Sequence, residues 1–179
     1  IASQTAGQVL GPSVLGAAGD TLNTAVYLSR LGHDVSFITA LGTDAYSDAL
    51  LGRLTDEGIS VEFVGRHPSR LPGLYAIRTD ESGERSFVYW RDTSAARAFF
   101  DLDDAEALIE SAVSSDLFYF SGISMAILSV ADRDRLLSVA RRCEGAVAFD
   151  GNYRPYGWGS VDEARRYLEQ VGEVASIVM

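Results

Sequence analysis

The chain has 179 residues, 15 basic side chains against 25 acidic ones, and a formal net charge of −10. With 47% hydrophobic and 22% charged residues it can build an ordinary core, burying roughly two-thirds of its unfolded surface, which excludes intrinsic disorder as the main state. A sequence pI of about 4.6, with no basic run to override it, opposes phosphate backbones and anionic lipids, so nucleic acid and membrane surfaces are poor partners. All the basic residues are Arg, which removes every lysine-dependent mechanism. A single Cys, Cys143, allows no internal disulfide, and one Cys with two His offers no metal-ligand spacing, so a reducing cytoplasm is the expected location. No apolar run approaches a membrane span, and the first residues lack a positively charged leader region. The abrupt start at Ile1 and the stop at Met179, directly after a strand-like segment, suggest a piece of something longer.

Leu22, Ala25, Val26 and Leu31 recur at helical spacing and predict a helix over 20–32, with Gly32 as its stop. A β-rich stretch at 35–40 follows, then a helix over about 45–57 ending at Gly58. Residues 61–91 differ in character: β-prone segments at 61–64, 74–79 and 86–91 with no helix between them read as a small antiparallel sheet. A loop Glu81-Ser82-Gly83 puts Gly83 at the left-handed position of a bulged hairpin and sets Tyr75 opposite Tyr89. Alternation then gives Phe87, Tyr89 and Arg91 one face, and Ser86, Val88 and Trp90 the other. The strand and helix alternation resumes with a helix at 102–113, a strand at 117–121, a helix at 131–142, a strand at 146–150 and a helix at 161–172. Helices alternating with short apolar strands predict an α/β fold around a parallel sheet.

Several segments could carry chemistry. The Gly-rich stretch 11–19 ends in Ala18-Gly19-Asp20 and places free amides at a helix start, although no dinucleotide or P-loop signature is present. Asp20 reads as a helix N-cap, or as a ligand for a polar substrate. Asn23 lies within the amphipathic pattern, where a polar amide needs partners. Arg91, on an aromatic strand face, presents a fork that matches a carboxylate, with a rim ion pair as the plainer alternative. Asp150-Gly151-Asn152-Tyr153-Arg154-Pro155 follows a predicted parallel strand at its carboxyl end, where ligands bind in open α/β sheets. There Asp150 could be only a cap and Arg154 only a surface ion pair. His33 and His67 read as loop residues, Cys143 as structural, and the acidic cluster Asp101, Asp103, Asp104 and Glu106 as a helix start. Phe99, Phe100, Phe118, Tyr119 and Phe120 read as core.

Together these segments resemble a known family. Gly19-Asp20-Thr21-Leu22-Asn23-Thr24-Ala25, Thr39-Ala40-Leu41-Gly42-Thr43-Asp44 and Leu71-Pro72-Gly73-Leu74-Tyr75 look like the ribokinase-like (PfkB) carbohydrate kinases. Gly83-Glu84-Arg85 with Tyr89-Trp90-Arg91, Ser121-Gly122-Ile123-Ser124 and the segment from Asp150 narrow the resemblance to the 2-keto-3-deoxygluconate kinases. The resemblance runs from about residue 19 to 179.

It implies a three-layer α/β sandwich with a small antiparallel β lid, and ATP-dependent phosphorylation of a terminal sugar hydroxyl, with Mg2+ accompanying ATP. It divides the chain into a first α/β part with the sugar-binding turn (1–60), a lid insertion (61–92) and a continuation of the α/β part (93–179). The implied sugar site comprises Gly19, Asp20, Thr21, Leu22, Asn23, Tyr75, Tyr89, Trp90, Arg91, Ile123 and Arg154; Asn152, Tyr153 and Arg154 would approach the nucleotide. The lid would also pair with a second copy as a homo-oligomer interface. Two departures stand out: Ala18 replaces the family's usual first Gly, and the Gly-Ala-Gly-Asp motif that holds the family's catalytic Asp does not occur. The stretch is therefore expected to hold the sugar half and not to catalyse alone. The competing expectations are a related kinase for fructose or another sugar, or a non-catalytic module that binds sugar acids or dimerises.

Overall fold

The computed structural model describes residues 2–4 and 13–179; the first part of the Gly-rich stretch, from Gly11, lies outside them. Strands β1 (Ala2–Gln4) and β2 (Ser13–Leu15) precede helix α1 (Asp20–Arg30). Ala25 of α1 is buried, with Leu22 and Val26 packed beside it against Leu41, Leu54, Ile59 and Val64. Gly32 ends the helix at φ +90°, a conformation that costs a residue without a Cβ least. Strand β3 (Thr39–Leu41) leads into α2 (Ala45–Asp56), whose N-cap Asp44 accepts from the amides of Tyr46 at 2.9 Å and Ser47 at 3.2 Å. The Ser47 hydroxyl also donates to Asp44, at 2.6 Å, and this bond first, then those from the amides, holds the Asp44 carboxyl below the usual range.

Strand β4 (Val64–Arg66) pairs parallel with β3, Thr39 opposite Val64. This corrects the expectation that the 61–64 stretch opens the antiparallel lid. The strand forms later than expected and belongs to the parallel part, because Val64 packs into the α1–α2 cluster. The lid proper is β5 (Leu74–Thr79) and β6 (Arg85–Trp90), antiparallel, with Tyr75 opposite Tyr89 and Gly83 at φ +84° as expected. The Asp80 side chain tightens its turn by accepting from the amides of Ser82 and Glu84. Strand β1 adds to β5 in parallel and β2 to β1 antiparallel, which makes the lid a four-stranded sheet.

After the lid, a 3-10 segment (Ala95–Asp101) and the short α3 (Ala105–Glu110) replace the single helix expected over 102–113. Strand β7 (Leu117–Ser121) runs straight into α4 (Gly122–Ile127), a helix the hydrophobic pattern does not reveal. Helix α5 (Val130–Arg142), β8 (Ala146–Asp150), a 3-10 turn (Pro155–Gly157), α6 (Val161–Val174) and β9 (Ile177–Val178) complete the chain. Strands β7, β8 and β9 form a parallel sheet in that order.

The main core sits around it, from Phe118, Phe120 and Phe149 on the strands to Met125, Leu137, Tyr167 and Val171 on the helices. Full burial of one such side chain stabilises the fold by roughly 1.5–3 kcal/mol. The parallel strands therefore fall into two pieces, β3–β4 and β7–β8–β9, and β3 and β7 each keep one edge without a strand partner among the described residues.

Candidate functional site

The register of the parallel sheet builds the site. Ser121 and Asp150 end β7 and β8 directly opposite one another, so both chains leave the sheet at the same level. There the start of α1 meets them. Asp20 is the first helical residue and Gly19 the cap, and the Asp20 side chain makes no capping bond. It reaches across instead: Oδ2 accepts from the Ser121 hydroxyl, and Oδ1 from Asn152 Nδ2 at 2.6 Å. The N-cap reading of Asp20 is thus replaced by a contact between distant segments, because a carboxylate gains more from two oriented donors than from a helix amide facing water.

Both donors are held in place. Ser121 is completely buried and its Oγ accepts from the Ser124 amide at 3.2 Å, as half of a reciprocal capping box on α4. Asn152 adopts φ +26°, a left-handed conformation that Asn tolerates better than most residues, and its amide donates to Asp150 Oδ1 at 3.1 Å. One turn further along α1, Thr24 donates to the Tyr119 hydroxyl at 3.3 Å. Burial pushes the Tyr119 phenol up; the Thr24 bond opposes this, and the nearby Asp150 and Asp20 charges add to it. Tyr119 is therefore half-buried at the site rather than a core residue.

Beside this network runs an open cleft of about 390 Å³, lined by Gly19, Thr21, Leu22 and Asn23 of the α1 start and by Pro72 and Gly73 opposite. Asn23 is exposed there, so the expected penalty for a buried amide does not arise. Gly73 links the cleft to the lid: a Cβ on it would lie 3.1 Å from that of Arg91. The Arg91 guanidinium stacks on the Tyr89 ring at 4.4 Å, and Tyr89 sits 5.8 Å from Tyr75. Burial also pushes the Tyr75 phenol up. Arg91 makes no ion pair among the described residues, so the rim salt bridge gives way to a cation on an aromatic face with its donors free.

The remaining candidates divide. Trp90 pairs with Leu74 on the opposite face of the hairpin from Tyr75 and Tyr89 and is 60% exposed, so it does not join their cluster. Ile123 is half-buried in the first turn of α4, next to Ser124. Tyr153 and Arg154 are exposed; Arg154 bonds only the Tyr153 carbonyl, at 3.2 Å, and its surface ion pair does not form among the described residues. Sequence reasoning passed over Ser121, Thr24 and Tyr119 as individual ligands. The signal for Ser121 was its place at the end of a predicted strand neighbouring the one that ends in Asp150. No helix among the described residues is long and apolar enough to cross a membrane.

The chain and its fold have counterparts among known proteins. Residues 12–178 match the pfkB family carbohydrate kinases. The chain is 46% identical over 158 residues to the 2-dehydro-3-deoxygluconokinase of Dickeya dadantii (strain 3937), covering 84% of this chain and 51% of that one. Against the enzyme of the same name from Escherichia coli (strain K12) it is 42% identical over 169 residues, covering 90% and 55%. The chain thus spans about half the length of the curated relatives it matches. A solved PfkB protein from Polaromonas sp. JS666 superposes with a TM-score of 0.82 at 24% identity, over 99% of this chain and 61% of that one, which shows the ribokinase-like fold. With the family matched over nearly its whole length and two relatives above 40% identity, the chain belongs to the pfkB family of carbohydrate kinases.

Proposed function

We propose that the chain is the sugar-acid-binding part of an ATP-dependent kinase that phosphorylates 2-keto-3-deoxygluconate at its terminal hydroxyl. The observation that carries this reading is Arg91: a guanidinium stacked on Tyr89, paired with no carboxylate among the described residues, and packed through Gly73 against the cleft that Gly19, Thr21, Leu22 and Asn23 line. A neutral sugar has hydroxyls for Asp20 and Asn23 but nothing to occupy that fork, whereas a sugar acid has both. The names of the two 2-dehydro-3-deoxygluconokinases described above support the same substrate.

In this reading Asp20, fixed by Ser121 and Asn152, orients substrate hydroxyls, while Tyr75 and Tyr89 wall the pocket and Arg91 receives the carboxylate. The exposed Arg154 is free to meet the carboxylate or a nucleotide phosphate, beside Asn152 and Tyr153. Positioning of this kind is most of what phosphoryl transfer asks of a protein. No three His, Cys, Asp or Glu side chains group to hold a metal ion among the described residues. The base for the attacking hydroxyl and the donors for the transferring phosphate fall to the other half of the kinase. The Leu74, Val88 and Trp90 side of the lid, exposed to solvent, would pair with the lid of a second copy.

Titration calorimetry with 2-keto-3-deoxygluconate and fructose tests the substrate. The sugar acid is expected to bind more tightly, and Arg91→Ala to weaken it by about tenfold or more while leaving fructose affinity unchanged. Equal affinity for the two sugars, or an Arg91→Ala variant that binds the acid normally, would reject the acid in favour of a neutral sugar.

A further inference from the structure

One buried charge joins the two segments that supply the donors to Asp20. Arg133 in α5 is 4% exposed. Its Nε donates to the Met125 carbonyl at 2.8 Å, its Nη1 pairs with Glu163 of α6, and its guanidinium lies 4.6 Å over the Trp158 ring and 5.3 Å over that of Tyr167. Met125 belongs to α4, the helix capped by Ser121. Trp158 ends the segment that leaves β8 through Asn152.

These two segments also touch along their length. Near the site, a Cβ on Gly122 would collide with the Gly151 carbonyl oxygen; at the far end, a Cβ on Gly157 would lie 2.6 Å from that of Ala126. Arg133 spans the far end, held to one segment by a hydrogen bond and to the other by its ring. Burying a guanidinium has a high desolvation cost, and an apolar side chain would fill the space at less. Only a planar fork reaches a carbonyl, a carboxylate and two ring faces at once.

We infer that Arg133 is a positioning residue: it sets the spacing between Ser121 and Asn152, and through them the orientation of the Asp20 carboxylate in the sugar pocket. The inference rests on the reading of that pocket as the sugar-acid site, but its physical part is measurable without substrate.

The test uses Arg133→Lys in the full-length protein, which keeps a charge opposite Glu163 and loses the fork. Amide hydrogen exchange at Ser124 and Asn152, whose N–H groups bond Ser121 and Asp150, is expected to quicken about tenfold while β3 and β4 keep their wild-type rates. The KM for the sugar acid should rise about tenfold or more, with the KM for ATP within about twofold of wild type. Trp158→Phe, which keeps a ring under the guanidinium, should behave as wild type in both measurements. Wild-type exchange at Ser124 and Asn152 in Arg133→Lys overturns the proposal, as does a rise spread evenly over the whole chain. Should Arg133→Lys fail to fold, Trp158→Leu must show the same local exchange, and its absence there overturns the proposal equally. If the wild-type protein does not use the sugar acid, the substrate reading fails by itself, and the exchange comparison still decides whether Arg133 spaces the two segments.

Discussion

Ser121 shows how much one hydroxyl can carry. It is fully buried, donates to Asp20 and receives the Ser124 amide, so its removal leaves a carboxylate short of a donor and a helix without its cap. Ser121→Ala is expected to destabilise the protein by about 1–3 kcal/mol, measured by urea unfolding, and to weaken sugar-acid binding in the same variant. The residues of this network are separated by long stretches of chain, Asp20 and Asn152 by 132 positions, and that distance is why the site was only partly legible. Asp20, Asn152 and Arg91 stood out by type and motif, but nothing local to any of them names its partner. Trp90 shows the converse: adjacency to Tyr89 and Arg91 put it in the motif, while the period of the strand, already readable in the sequence, turns it to the other face.

At the scale of elements, what was legible is what short-range chemistry decides. The helices α1, α2, α5 and α6 carry amphipathic spacing and recognisable ends, and the β5–β6 hairpin follows from its Gly83 turn, so each matches its expected place closely. Helix α4 was missed because it spans six residues and its capping box closes on Ser124, without the Glu or Gln that marks such boxes in a sequence. Strand β4 was given to the wrong sheet because three residues, Val64-Gly65-Arg66, say nothing about which strand they will meet or in which direction. Helix α2 offers the cleanest test of a local device. Asp44 caps it through two amides and the Ser47 hydroxyl, so Asp44→Ala should cost about 1 kcal/mol in chemical denaturation, with the lid and the β7–β8 network unaffected.

For the molecule as a whole, the bonded carboxyl groups fix how stability follows pH. Glu163, through Arg133, and Asp44, through Ser47, are held below their usual range, as are Glu57 and Glu110 through their Arg partners and Asp80 through Ser82. A depressed carboxyl contributes stability above its unfolded value of roughly 4 and loses it as pH falls through the lower folded one. The tyrosines run the other way: burial raises Tyr75, Tyr119 and Tyr167, so their contribution is complete below about pH 10 and fades as pH climbs beyond it. Thermal melts are expected to show a plateau between about pH 5 and 9 with a fall on each side. A melting temperature still rising as pH drops below about 4 would contradict the carboxyl assignments.

The edges of β3 and β7 that meet no other strand among the described residues have a different bearing. A row of unsatisfied main-chain donors and acceptors is a template for any extended peptide, its own copies included, and natural sheets shield such rows with charge, proline or a covering element. Thr39-Ala40-Leu41 and Leu117 to Ser121 carry no charged side chain with which to repel a neighbour. Handled apart from whatever covers those rows, this polypeptide would have to be kept dilute, and its yield in soluble form would depend less on its core than on how fast a strand from elsewhere arrives.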